Sequence, residues 1–178
     1  RGLAEEILSL KPDLIFAGIF SSRPTTSILK KLGHRVIKFE MADNFDSLRS
    51  NLIKAGMALK EEAKASRLVA TFNRTLNSFP QPQRTVSAFV VQPSRAGAGK
   101  VSLLDDILRT AGLTSISNNH GLMGVGWITL DQVIAARPEV IIYDVTPHWP
   151  SLGHLAMRHP AYDAIRDRLG QFPCLLYT

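Results

Sequence analysis

The chain has 178 residues, of which 45% are hydrophobic and 20% charged, so its composition is that of a globular protein with a core of its own. The formal net charge of +6 comes from scattered basic residues, which argues against a nucleic-acid-binding protein and suits an anionic small ligand. The single cysteine, Cys174, excludes an internal disulfide and any zinc or iron–sulfur site built from several cysteines. We interpret it as a buried core thiol.

Residues 1–43 alternate between helix and strand patterns. Apolar residues at helical spacing open the chain, and Pro12 ends that helix before a short run typical of a buried parallel strand. The pattern predicts, in chain order, a helix over 3–10, a strand over 14–17, a polar loop over 18–25, a helix over 27–32 and a strand over 36–39.

Residues 44–79 follow a different pattern, with no proline and only one glycine, Gly56. Apolar residues recur about every 3.6 positions, Asp43 or Asn44 is suited to cap the start, and Pro80 ends the segment. We therefore predict one continuous helix over 44–79, roughly 50 Å long at about 1.5 Å per residue.

After Pro82 the alternation of strands and helices resumes, in the order typical of an α/β fold with a parallel sheet. We predict strands over 86–91, 115–117, 140–143 and 174–177, helices over 102–111, 130–136 and 161–169, and loops over 92–100, 118–126 and 146–153.

The pattern of residues 5–16 recurs over 131–142, with an acid, an aliphatic pair, a base, a proline and an aliphatic run in the same order. Helix–proline–strand is a common local arrangement, which is one explanation. The other is an α/β fold of two Rossmann-like lobes joined by a single long helix. The domains would then be a partial N-terminal lobe over 1–43, the bridging helix over 44–79 and a C-terminal lobe over 80–178. Two strands before the helix are too few for a stable parallel sheet, so we expect the N-terminal lobe to be incomplete.

Several short stretches, each weak alone, together resemble one known family over nearly the whole chain. They occur in family order at 5–15, 29–33, 102–108, 111–113, 130–133, 137–142 and 159–161. On these stretches the chain resembles the periplasmic binding proteins for iron-siderophores, haem and cobalamin, whose two lobes are bridged by one helix.

The resemblance implies a function in transport rather than an enzyme. It implies the extracytoplasmic component of an ABC importer, which captures an iron-siderophore, haem or cobalamin in the cleft between its lobes and delivers it to the membrane permease. The implied partners are a small-molecule metal chelate and the permease dimer with its ATPase. The protein would be a periplasmic monomer with no cofactor of its own. It would bind no nucleic acid and would meet the membrane only through the permease, with a signal peptide upstream of Arg1.

Candidate ligand residues follow the predicted strands, because ligands of parallel α/β sheets sit at the carboxyl ends of the strands. Arg23 and Arg95 each come after a strand, and a guanidinium fork suits carboxylate, catecholate or phosphate groups. A solvated loop arginine is the alternative for each of them. The loops concerned are 18–25, 40–44, 92–100, 118–127 and 144–154.

Large apolar and aromatic side chains lie in the same predicted loops and suit the flat face of a porphyrin, a corrin or a catechol. His148 is a further candidate for contact with haem or a corrin, although a lone loop histidine is more often hydrated. Trp127 has packing at a helix start as its alternative. The aromatic and apolar candidates are Phe20, Met123, Trp127 and Trp149.

Glu5 and Asp131 occupy equivalent positions in the internal repeat. In the resembled family, one surface acid on each lobe docks onto arginines of the permease, and these two residues match those positions. Each acid is also predicted near a helix start, where the helix dipole favours a carboxylate, so plain helix capping is the alternative.

Motifs for catalysis or metal binding are incomplete. The stretch 97–100 lies between a strand and a helix like a phosphate-binding loop, but Ser94 and Val101 stand where that motif needs a glycine and a hydroxyl residue. No histidine pair has zinc spacing, and we predict no catalytic or metal-binding residue. A nitrogenase- or chelatase-like two-lobed enzyme is the alternative function, and a cytosolic α/β regulatory domain is a third. The single apolar cysteine argues against the enzyme.

Overall fold

The computed structural model describes residues 4–80, 82–91, 96–144, 159–160 and 170–174. It divides the chain into two compact units, an N-terminal unit over Arg1–Asn73 and a C-terminal unit over Arg74–Thr178. This division falls inside the predicted bridging segment. The domain boundaries that we drew at 43 and 79 stay a prediction.

The N-terminal unit contains two parallel strands, Ile15–Ala17 and Val36–Lys38, which are connected by a helix. Ile15 lies opposite Val36, and Ala17 lies opposite Lys38. Leu29 is buried, which anchors the second helix of the unit. The elements are α1 (Ala4–Ser9), β1 (Ile15–Ala17), α2 (Arg23–Lys31), β2 (Val36–Lys38), α3 (Phe45–Leu59) and α4 (Glu62–Ser78), of which α4 continues into the next unit.

The segment 44–79 forms two helices rather than the one continuous helix that we expected. Asn44 caps α3, since its side chain accepts a hydrogen bond from the Ser47 N–H at 2.7 Å. The helix ends at Lys60, which has a left-handed backbone with φ of 58°. Glu62 then places an acid in the first turn of α4, where the helix dipole favours it. The apolar period continues across this break, which is why the pattern alone did not reveal it.

Helices α3 and α4 fold back on each other as a helical hairpin. Near their far ends the rings of Phe45 and Phe72 meet edge to face with centroids 5.5 Å apart. Close to the turn, a Cβ atom added to Gly56 would overlap the Cβ of Ala65. The one glycine of the segment therefore permits a close approach of the two helices.

The described elements of the C-terminal unit are β3 (Val86–Val91), β4 (Ala96–Ala98), α5 (Leu103–Thr110), β5 (Leu113–Ser115), a 3-10 helix (Ile116–His120), β6 (Val125–Trp127), α6 (Leu130–Ala136), β7 (Val140–Asp144) and β8 (Gly170–Cys174). The unit is built on a parallel sheet with the strand order β5-β3-β7-β8. A separate antiparallel pair is formed by β4 and β6. The core of the unit consists of Phe89, Val91, Ile116, Ile128, Val133 and Ile141.

The α/β class is confirmed, and β3 and α6 lie at the predicted residues. The predicted strand 115–117 is instead the end of β5 followed by the 3-10 helix. The last described strand lies at 170–174, and residues 175–177 of the strand predicted over 174–177 lie outside the described residues. The predicted helix 161–169 lies outside the described residues, as do the side chain of Cys174 and the whole loop 146–153. No helix in the described part of the chain is both long and apolar enough to cross a membrane.

Candidate functional site

At the carboxyl end of β1, two serines shape the turn that leads into α2. The Ser21 hydroxyl accepts a hydrogen bond from the Gly18 N–H at 3.0 Å, and the Ser22 hydroxyl accepts one from the Thr25 N–H at 3.4 Å. This turn leaves Phe20 89% exposed. Arg23 is exposed too, but it is the first residue of α2 and not part of the loop that we predicted.

A concavity of about 440 Å³ opens beside Arg23 in the N-terminal unit. Residues at helical spacing on one face of α2 line it together with the last residue of β2. Lysines at positions 30 and 38 join the arginine there. The lining residues are Arg23, Thr26, Ser27, Lys30 and Lys38.

In the C-terminal unit, the antiparallel pair β4–β6 exposes a row of large apolar side chains. Trp127 is 74% exposed, Met123 67% and Val125 62%. Trp127 lies opposite Ala96, Val125 lies opposite Ala98, and Met123 bridges to Lys100. Alternate residues of a strand point to the same face, so the side chains of Val125 and Trp127 lie side by side on β6. Met123 lies just before this strand, opposite Lys100, and we call the three exposed side chains the apolar row.

Glycines on the other face explain why these large side chains project outward. A Cβ atom added to Gly97 would overlap the Ser117 hydroxyl, and one added to Gly126 would lie 2.6 Å from the Leu122 side chain. The inner face therefore has no space for side chains. The prediction had placed Trp127 and Met123 in a loop and had missed Val125. The alternation of large residues with Gly124 and Gly126 was the signal for a strand.

A buried polar network holds the 3-10 helix that precedes β6. The Asp105 side chain on α5 is nearly buried, and its Oδ1 accepts a hydrogen bond from Asn118 Nδ2 at 2.8 Å. Arg109 Nε donates to the other carboxylate oxygen at 3.1 Å. This network fixes the 3-10 helix to α5. The sequence analysis missed it because Asp105 has the pattern of an ordinary polar residue in an amphipathic helix.

The two candidate docking acids occupy matching places in the two units. Glu5 lies in the first turn of α1 and Asp131 in the first turn of α6, and both are exposed. The Gln132 side chain accepts a hydrogen bond from the Thr129 N–H at 2.9 Å and so caps the start of α6. No hydrogen bond or ion pair to another described residue involves the carboxylate of Glu5 or Asp131.

Arg95, His148 and Trp149 lie outside the described residues, so their roles stay predictions. Phe20 and Arg23 belong to the N-terminal unit, whereas Met123 and Trp127 belong to the C-terminal unit. Across the described ranges, no group of three or more histidine, cysteine, aspartate or glutamate side chains is arranged to hold a metal ion.

A family model with the description "Periplasmic binding protein" matches residues 4–146. No protein with a curated description matches the chain significantly. Three solved structures each align with 96–97% of this chain, and the aligned part covers 71–72% of the length of those three proteins. The periplasmic haem-binding protein HutB of Vibrio cholerae aligns with a TM-score of 0.79 and 13% identity. RhuT, the periplasmic haem-binding protein of Roseiflexus sp. RS-1, gives 0.76 and 18%.

A third solved structure, from Staphylococcus epidermidis, is described as a possible iron-binding (periplasmic solute-binding) protein. It covers 96% of this chain with a TM-score of 0.74 and 21% identity. Likeness at these identities shows the fold, and the family match rests on the sequence of most of the chain.

Proposed function

The chain belongs to the periplasmic binding protein family, and from this premise we propose that it is the extracytoplasmic substrate-binding component of an ABC importer. Its ligand is an iron-siderophore, haem or cobalamin, which it delivers to a membrane permease. The observation that carries the ligand class is the apolar row, because a folded protein rarely exposes three neighbouring large apolar side chains without a use for them.

The apolar row suits a flat, largely apolar chelate. The Trp127 indole offers a π face against which a porphyrin, a corrin or an aromatic catecholate can stack. Met123 adds a polarisable thioether that adapts to an irregular outline. Across the strand pair, Val125 lies opposite Ala98, whose methyl group adds little bulk beside the row.

Arginines supply the recognition of anionic groups in this proposal. Arg23 is exposed and makes no ion pair with another described residue, so its five N–H donors are free for a carboxylate or a catecholate. We propose the same role for Arg95 from its place after β3. Phe20, His148 and Trp149 complete the proposed ligand contacts.

Delivery to the permease is proposed to use Glu5 and Asp131. Each unit presents one exposed carboxylate in the first turn of a helix, and two such acids suit a permease with two-fold symmetry. Since Gln132 already caps α6, helix capping by hydrogen bonding does not account for Asp131.

The experiment is a visible-absorption titration of the full-length protein with haem, a ferric catecholate chelate and cobalamin. We expect one of them to bind. In Trp127→Ala the affinity for that ligand should fall roughly thirtyfold, the effect of losing about 2 kcal/mol at a central aromatic contact. Leu68→Ala, which removes an exposed apolar side chain from α4, is the matched control and should bind like the parent. Equal affinity of the Trp127→Ala variant and the parent would exclude the apolar row from the site.

A further inference from the structure

The concavity beside α2 has an unusual lining. Three of its five lining residues are cationic, two carry hydroxyls, and none is an aspartate or a glutamate. Four of the five share one face of α2, where positions three and four apart are neighbours. Lys38, at the end of β2, faces them. The fold thus brings together charges that lie far apart in the sequence.

These cations have no carboxylate partner among the described residues. Arg23, Lys30 and Lys38 take part in no ion pair there, whereas other cations of the chain do. Like charges around one concavity repel each other and raise the local positive potential. An anion in the concavity would relieve that repulsion. The paired cations elsewhere are Arg49, Lys64, Arg84 and Arg109.

The hydroxyls of Thr26 and Ser27 differ in whether they are free to donate a hydrogen bond to a ligand. Thr26 donates to main-chain carbonyl oxygens of the preceding turn, at 3.1 Å from Ser22 and from Arg23, so its hydrogen is already used. The Ser27 hydroxyl makes no hydrogen bond to another described residue and is exposed. Ser27 is therefore free to donate to an oxyanion alongside the three cations.

We propose that this concavity binds a multiply charged oxyanion, either a cluster of carboxylates or a phosphate-like group. Arg23 provides a planar fork, Lys30 and Lys38 provide point charges, and Ser27 provides a hydroxyl donor. A volume of about 440 Å³ accommodates a tricarboxylate. The inference rests on the proposed function for one of two sources, in which the anion is part of the captured chelate. The other source is a free inorganic anion with the same chemistry.

Isothermal titration of the full-length protein with citrate and with inorganic phosphate tests the site. The variant is Lys30→Gln with Lys38→Gln. The matched control is Lys31→Gln with Lys60→Gln, which removes the same charge from exposed lysines outside the concavity. We expect the parent to bind at least one of the two anions, the variant to bind it at least tenfold more weakly, and the control to stay within twofold of the parent. Added salt should weaken binding by the parent.

A ferric citrate titration separates the two sources. Loss of ferric citrate affinity together with citrate affinity in the variant assigns the anion to the captured chelate, whereas loss of phosphate affinity alone assigns a free anion. The inference is overturned when neither citrate nor phosphate binds the parent, or when the anion bound by the parent binds the variant equally well. The Trp127→Ala titration is independent of these lysines, so the proposed function and the anion site fail separately.

Discussion

Lys11 and Arg137 adopt the same left-handed backbone at equivalent positions of the internal repeat, with φ of 46° and 44°. Each follows the end of a helix, and each N–H donates to the carbonyl oxygen three residues earlier, at 3.0 and 3.3 Å. Each also precedes a proline that leads into a parallel strand. The backbone therefore repeats along with the sequence pattern.

A left-handed residue other than glycine carries a steric cost of roughly 1–2 kcal/mol. We expect Arg137→Gly to raise the free energy of unfolding by about 0.5 kcal/mol, because relief of that cost exceeds the added entropy of the unfolded chain. Urea denaturation measures it. Ala135→Gly, on the exposed side of α6, should instead lower stability by about 1 kcal/mol. Equal losses in both variants would contradict the role of the left-handed turn.

The helical hairpin depends on the close approach of Gly56 and Ala65. We expect Gly56→Ala to lower the free energy of unfolding by about 1–3 kcal/mol, because the new methyl group overlaps Ala65 and forces α3 and α4 apart. Ala65→Gly in the same chain should restore part of the loss by removing the overlapping group. A double-mutant cycle by urea denaturation measures this coupling. Additive effects of the two changes would show that the helices do not meet there.

Elements that depend on local sequence patterns were predicted correctly, whereas features that depend on contacts between residues distant in the sequence were not. An apolar run defines β3, and a helix start signal with a following proline defines α6, so local pattern located both to the residue. The break at Lys60 has neither glycine nor proline at the turn itself, and it depends on packing between α3 and α4. The strands β4 and β6 are short and glycine-rich, so their sequences alone predict loops, and only their pairing with each other makes them strands.

The same distinction applies to the candidate functional residues, since some were found from the sequence and others only from the structure. Trp127 and Met123 were chosen as candidates because they lie in a loop predicted at the carboxyl ends of the strands, and their ligand role stays a prediction. Lys30 and Lys38 were not, because only the packing of α2 beside β2 brings them to one concavity. Asn118 was missed since its partner on α5 is distant in the sequence.

Glu139 links the start of β7 to the start of β3. Hydrogen bonds from the Ser87 N–H at 3.0 Å and from Arg84 at 2.7 Å hold the pKa of its carboxyl below the ordinary value. A lowered folded-state pKa gives stability that is present above the unfolded-state pKa, roughly 4.3, and is lost as the pH falls through the folded-state value. We therefore expect Glu139→Gln to flatten the decline in stability below about pH 5.

Urea denaturation at a series of pH values from neutral to acidic measures this effect. Glu62→Gln is the control, because Glu62 is an exposed acid in the first turn of α4 and belongs to neither of the strands that Glu139 links. The expectation is wrong if the Glu139→Gln and Glu62→Gln variants show the same dependence on pH as the parent.

We expect the hydrogen bond between Asn118 and Asp105 to hold the 3-10 helix in place and so to position the apolar row that follows it. We expect Asn118→Ala to cost about 1–3 kcal/mol of stability, because it removes a donor from a buried carboxylate. Affinity for the ligand that the parent binds should fall as well, since the 3-10 helix that precedes β6 is no longer tied to α5. Asn119→Ala changes the exposed neighbour and should affect neither quantity. Loss of stability with unchanged affinity would limit Asn118 to a structural role.

The docking role of Glu5 and Asp131 is tested by reversing both charges. In the full-length protein, Glu5→Lys with Asp131→Lys should abolish transport, because two carboxylates facing permease arginines become like charges that repel them. Ligand affinity in solution should be unchanged, since both acids lie in first helical turns and neither belongs to the apolar row. Asp131→Glu keeps the carboxylate at this position, so it should retain transport.

The control reverses two other exposed acids, Glu40→Lys with Glu62→Lys, which changes the net charge by the same amount. Uptake of labelled ligand into cells, at equal levels of each variant, is the measurement. The control should transport at the parent rate, which separates a local docking contact from a general effect of charge. Transport by the Glu5→Lys, Asp131→Lys variant at the parent rate would show that the two carboxylates serve only to stabilise the first turns of α1 and α6.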